Sequence, residues 1–153
     1  MTLPLTFRVA HVNDLERIMH MLADDPLGKY RELAQPFDLG LYESAFQEIA
    51  NDPNSDMIVA ELNGEVVGCL QLTLIPGLSR GGAKRAQIES VRTAADKRGQ
   101  GIGTALMTHA IHLAKSRGAR LVQLTSDVRR TDAHKFYKNL GFSDTHTGFK
   151  LDL

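Results

Sequence analysis

The chemistry most readable in this chain lies in seven consecutive residues, Arg98-Gly99-Gln100-Gly101-Ile102-Gly103-Thr104. Three alternating glycines let a backbone approach a ligand closely and take positive φ where needed. An amphipathic helix follows directly. Its first turn offers N–H groups without intrahelical acceptors, together with the positive end of the helix dipole. Arg98 adds a fixed positive charge. Pyrophosphate recognition requires this combination. Two common nucleotide-binding patterns do not fit. A G-x-G-x-x-G fingerprint started at Gly99 ends on Thr104, and started at Gly101 ends on Leu106. A Walker A loop needs Gly-Lys-Ser/Thr, and the only Gly-Lys here, Gly28-Lys29, is followed by Tyr30.

The elements that must position this loop follow from periodicity. A strand over Thr6–Ala10 leads to Asn13 and Glu16, spaced as a capping box. Leu15, Ile18, Met19 and Leu22 then repeat at helical spacing. A polar stretch from Asp24 to Gly40 precedes a second helix, marked by Tyr42, Ala45, Phe46 and Ile49. Met57–Leu62 and Glu65–Ile75 read as strands flanking Asn63-Gly64, a strong hairpin signal. Arg85–Thr93 is the strand that delivers the glycine loop, and Gly101–Arg117 the helix behind it, stopped by Gly118. Leu121–Thr125 is a further strand. Thr131 or Asp132 caps a last helix with Ala133, Phe136, Tyr137 and Leu140, ended by Gly141. Phe149–Leu153 reads as a short closing strand. No repeat, low-complexity tract or linker interrupts the series, so residues 1–153 read as a single α/β domain with a mixed sheet.

In that context the glycine loop resembles the coenzyme A loop of the GNAT-type N-acetyltransferase superfamily, Arg/Gln-x-x-Gly-x-Gly/Ala. Arg98, Gly101 and Gly103 fill its three places. The segment from Ala133 through His134, Phe136, Tyr137 and Gly141 to Phe142 is similar to the family's C-terminal Ala-x-x-Φ-Tyr-x-x-x-Gly-Phe element, Φ being apolar. The hairpin and the two N-terminal helices extend the resemblance over nearly the whole chain. It implies an α/β (α+β) fold, with a mixed, mostly antiparallel sheet, splayed central strands and about four helices. It also implies acetyl-CoA as acetyl donor and no metal.

Carried over by position, the resemblance sets backbone groups of Val91 and Thr93 against the pantetheine amides. A hydrogen bond from the Val91 region to the thioester carbonyl would act as an oxyanion site does. The amides of Gly99, Gln100, Gly101, Ile102, Gly103 and Thr104 would hold the pyrophosphate, with Arg98 among the basic residues near the 3′-phosphate. Tyr137 matches the tyrosine that protonates the leaving thiolate, and a phenol is a plausible donor to a thiolate. Glu89 is the candidate general base, since strand parity places it on one face with Val91 and Thr93. Gln87, on that same face, is a candidate to orient substrate or water. Tyr30 and Glu32, in the stretch between the first two helices, are candidate acceptor contacts. Two departures stand out. Arg130 occupies the place where many members carry Asn, seven residues before the tyrosine, so that contact is altered or replaced by a phosphate contact. Eleven residues follow Phe142, so the closing strands are expected to be short, or one to be missing.

The reaction implied is direct transfer to a primary amine in a ternary complex, because Cys69 lies outside the motif region. A small-molecule amine is the expected acceptor, with a protein N-terminus or lysine as the alternative. A catalytically silent acyl-CoA-binding regulatory module is the rival reading, and a homodimer is an expected assembly. Composition argues against other classes. No apolar run approaches the ~20 residues of a membrane span. The first residues lack a secretory pattern, and a single cysteine fits a reducing cytoplasm. Zero net charge, no Trp and 6% aromatic residues argue against nucleic acid. That zero hides an asymmetry. Residues 1–76 carry four basic against twelve acidic side chains, and residues 77–153 carry fourteen against six. The basic half would receive the anionic coenzyme, and the acidic half would favour a cationic amine. His109 and His112 read as a solvated helix face, His134 as exposed, and Cys69 as a small core residue.

Overall fold

The computed structural model describes residues 4–25, 27 and 38–153. They form two compact units, one up to Gln123 and one from Leu124 onward. The described residues of the first make a five-stranded sheet in the order β1-β2-β3-β4-β5. These strands are β1 (Leu5–Val9), β2 (Ser55–Leu62), β3 (Glu65–Ile75), β4 (Lys84–Thr93) and β5 (Ala119–Gln123). Pairing is antiparallel from β1 to β4 and parallel between β4 and β5. Helices α1 (Leu15–Ala23) and α2 (Leu39–Asn51) come between β1 and β2, and α3 (Ile102–Ser116) makes the crossover from β4 to β5. The second unit carries helix α4 (Thr131–Asn139). The mixed, mostly antiparallel sheet read from the sequence is the one that forms.

The hairpin forms where Asn63-Gly64 calls for it. Asn63 (φ 52°) and Gly64 (φ 81°) both take the left-handed conformation that a two-residue turn between twisted strands requires, and Leu62 faces Glu65 across it. On one face of the sheet, Met57, Val59 and Cys69 pack with Leu15, Ile18, Met19 and Phe46 of α1 and α2. Strand alternation sends Ile58, Leu70, Leu72 and Ile88 to the other face, all at most 1% exposed. There α3 lies close. A Cβ on Gly68 would stand 3.4 Å from Ile102 and 3.5 Å from Leu106, so the missing side chain lets the helix approach.

Four local expectations are corrected. The turn before α1 is capped two residues earlier than Asn13 and Glu16 suggest. The His11 N–H donates to the Asp14 carboxylate at 2.7 Å. Arg8 in turn donates to Asp14 at 2.7 and 3.0 Å and to Glu61 at 2.9 Å, holding the Asp14 carboxyl below its ordinary range. His109 is not a solvated residue: its ring stacks on Phe7 of β1, centroids 4.5 Å apart, while His112 is exposed. His134 is half-buried, and its Nε2–H donates to the Asp127 carbonyl at 2.9 Å. Phe149–Leu153 alternates like a strand but forms none. Phe149 and Leu151 are 92% and 85% exposed, and among the described residues no neighbouring strand satisfies their backbone.

The charge asymmetry is partly cancelled inside the first unit. Arg117 pairs with Asp56 at 2.6 Å, Arg92 with Asp25 at 3.2 Å and Arg98 with Asp24 at 3.9 Å. Each pair joins a base from the basic half of the sequence to an acid from the acidic half.

Candidate functional site

Strand β4 changes character half-way along. Arg85 to Gln87 pair on both sides, with β3 and with β5, and Lys84 pairs with β5. Beyond Gln87 the β5 pairing stops, while β4 continues along β3 to Thr93. The edge of 88–93 turned away from β3 therefore meets no strand among the described residues. The Ala94 N–H donates to Val67 of β3 at 2.8 Å, so alternation turns the backbone groups of Thr93 and Val91 toward the open edge.

A bulge sits in this open half. Glu89 pairs with Gln71 and Arg92 with Cys69, so Ser90 and Val91 together face Leu70. Ser90 takes φ 56°, a left-handed conformation unusual for a residue with a side chain. The Ser90 carbonyl accepts a hydrogen bond from the Cys69 thiol at 3.7 Å. Because the peptide is planar and trans, the Val91 N–H points the opposite way. The bulge also resets side-chain parity. Gln87 and Glu89 share a face with Arg92, and not with Val91 and Thr93 as unbroken alternation predicts.

The glycine loop continues from this edge. Gly99 and Gly101 take φ 75° and 80°, and a Cβ on either would meet nothing within 4 Å. Both therefore face open space and owe their identity to backbone conformation. Gly101 caps α3 without a side-chain hydrogen bond, and the first intrahelical bond runs from the Ala105 N–H to the Gly101 carbonyl at 3.0 Å. The amides of Ile102, Gly103 and Thr104 precede that bond, so they stand at the helix N-terminus without intrahelical acceptors. Three donors and the positive end of a 15-residue helix make an anion cradle.

Arg98 is exposed, and its guanidinium bonds to backbone carbonyls. Its Nη2 donates to the Asp24 carbonyl at 2.9 Å and its Nε to the Thr93 carbonyl at 3.3 Å. The Gln100 side chain likewise bonds back, to the Asp96 carbonyl at 3.4 Å. Gln87 accepts from the Gln123 amide at 2.8 Å, and Glu89 is exposed. Burial pushes the Cys69 thiol up to about 12, so it holds its proton. Sequence reasoning did not single out Asp24, Asp25 or Arg92. The available signal was two acids ending a helix and a base inside a strand.

The second unit holds Tyr137 on α4. Its ring meets Phe136 and Phe142 edge-on, at centroid distances of 5.2 and 6.0 Å. The Phe142 N–H donates to the Tyr137 carbonyl at 3.1 Å, and Gly141 takes φ 98° to end the helix. Arg130 occupies the N-cap position of α4. Arg129 donates to the Asp127 carboxylate at 2.9 and 2.8 Å, which holds that carboxyl far below its ordinary range. Tyr30 and Glu32 lie outside the described residues. Among the described residues no cluster of three or more His, Cys, Asp or Glu could hold a metal, and no helix is long and apolar enough to cross a membrane.

The acetyltransferase (GNAT) family matches residues 15–142, from the start of α1 through the glycine loop to Phe142. The chain belongs to the GNAT family. This GNAT chain is 32% identical over 117 residues to the aminoalkylphosphonate N-acetyltransferase of Salmonella typhimurium, covering 76% of this chain and 75% of that one. It is 33% identical over 129 residues to an uncharacterized N-acetyltransferase of Methanocaldococcus jannaschii, covering 79% of this chain but only 56% of that longer relative. Among solved structures, a Bacillus halodurans C-125 protein described as a transcriptional regulator matches with a TM-score of 0.92 at 48% identity, over 97% of this chain and 99% of that one.

Proposed function

We propose that this GNAT chain transfers an acetyl group from acetyl-CoA to a primary amine on a small molecule, by direct attack in a ternary complex. The observation that carries the reading is the half-open strand β4 leading, through the glycine loop, to a helix N-terminus without a side-chain cap. A backbone edge with donors and acceptors suits the pantetheine amides, and the amides of Ile102, Gly103 and Thr104 suit the pyrophosphate. The coenzyme supplies an activated thioester. Val91 donates its N–H to the thioester carbonyl and stabilises the developing oxyanion. Glu89, exposed on the face it shares with Arg92, takes through water the proton that the attacking ammonium must lose. Tyr137 gives its phenolic proton to the departing sulfur. A thiol held protonated at about 12 is a poor nucleophile, which supports direct attack over an acyl-cysteine route.

The small-molecule acceptor draws support from the Salmonella relative, whose name is that of an enzyme for aminoalkylphosphonates. The reading extends to one acetyltransferase domain over residues 1–153, working in the cytoplasm as a homodimer. A second reading, a regulatory module that binds the coenzyme without turnover, draws support from the relative described as a transcriptional regulator. Incubation of the full chain with acetyl-CoA and a panel of aminophosphonates, amino sugars, polyamines and N-terminal peptides separates them. Acetylated product in the mass spectrum of a small amine supports the first. Calorimetric binding of acetyl-CoA with no product from any amine supports the second.

A further inference from the structure

The end of α1 holds the open half of β4 from the side. Asp24 and Asp25, consecutive residues just past the helix, meet two arginines, Arg92 within the open stretch and Arg98 beyond its end. Asp25 pairs with Arg92 at 3.2 Å, with side chains only 9% and 16% exposed. The Arg92 Nη1 donates to the Val91 carbonyl at 2.8 Å. Arg98, carried by Asp24, donates to the Thr93 carbonyl. The Val91 and Thr93 carbonyls on this edge are thus held by guanidinium groups anchored on the same two residues. Around Val91 the hold is complete. The peptide before it is fixed by the Cys69 thiol on the Ser90 carbonyl, and the peptide after it by Arg92.

We propose that Asp25 and Arg92 form a positioning pair for acyl transfer: Asp25 fixes Arg92, Arg92 fixes the Val91 carbonyl, and the bulge at Ser90–Val91 is thereby locked with the Val91 N–H aimed along the open edge. This rests on the proposed acetyl transfer. The pair touches neither substrate nor reacting atoms, so it acts through the Val91 peptide. A left-handed serine next to an unpaired strand edge has other conformations within reach, and an ion pair this sheltered selects one of them.

The test is steady-state kinetics on the full chain, with an amine that the wild type acetylates. Asp25→Asn is expected to lower kcat about tenfold to a hundredfold, the scale of a displaced catalytic group. The KM for acetyl-CoA should stay within about twofold, because the pyrophosphate cradle is untouched. Arg92→Gln should do the same, and the double variant should be no slower than either single one, since the two act as a unit. Asp25→Glu, which keeps the charge, should recover part of the loss, and Arg92→Gln carries the test if Asp25→Asn does not fold. Wild-type kcat in Asp25→Asn overturns the proposal. So does a double variant in which the two losses multiply, or a loss confined to KM. Where Arg92→Gln carries the test, wild-type kcat or a loss confined to KM overturns it equally. A wild-type chain that acetylates no amine overturns the proposed function, and this proposal with it.

Discussion

The two halves of β4 share one strand and one neighbour but differ on the other side. From Arg85 to Gln87 the backbone pairs with both β3 and β5, and Ala86 is fully buried. From Ile88 to Thr93 one edge meets no strand among the described residues, a bulge interrupts the register, and side chains satisfy the Val91 and Thr93 carbonyls. A sheet normally covers or blunts an unpaired edge. Here the described residues leave the edge unpaired, held in shape by arginines, and the loop after it leads to three helix amides without acceptors. The contrast separates scaffold from working surface within ten residues. Changes to the paired region should cost stability, and changes to the open region and its loop should cost binding or turnover.

The largest effect is expected at the loop. Gly101→Val puts a β-branched side chain at φ 80°, in the open space that the coenzyme would enter. Losing two charge-assisted backbone bonds at about 1.5–3 kcal/mol each means about a hundredfold weaker acetyl-CoA binding or more. Calorimetry checks this, and unchanged affinity would refute the loop assignment. Tyr137→Phe comes next, lowering kcat about tenfold to a hundredfold with coenzyme affinity unchanged. Turnover at the wild-type rate would leave that ring with only its packing against Phe136 and Phe142.

The scaffold side gives smaller and different signatures. Leu72→Ala, in the fully buried layer opposite Ile88, should cost about 2–5 kcal/mol in denaturant unfolding. The folded variant should bind acetyl-CoA like the wild type; a matching loss of affinity would erase the distinction between the two halves of β4. The smallest effect belongs to Asp14. Its folded carboxyl is held below its ordinary range, so it contributes stability above the unfolded carboxylate range near pH 4 and loses it as pH falls further. Unfolding midpoints against pH should drop less steeply in Asp14→Asn, with no change in coenzyme binding.

What was legible in the sequence had a local cause. Asn63-Gly64 announces its turn because few other residues take two successive positive φ angles, and both do. The glycine loop announces itself for the same reason at Gly99 and Gly101. The bulge is different. Ser90 adopts the left-handed conformation with nothing in its type to say so, and one extra residue moves every later side chain to the other face. Glu89 therefore lost its expected companions and gained Arg92. Arg98 read as a phosphate ligand because it opens the motif. Its bonds to Asp24 and Thr93 depend on chain segments that no local pattern brings together. Phe149–Leu153 has the alternation of a strand, but a strand needs an edge to pair with, and alternation cannot supply one.

One consequence of the core is practical. Cys69 is the single cysteine of the chain, is fully buried, and keeps its proton to about 12. Thiol-reactive dyes at neutral pH should therefore leave the native protein uncoloured. Each thiol that appears in a continuous colorimetric assay would then report one acetyl group leaving its carrier, read against a silent background.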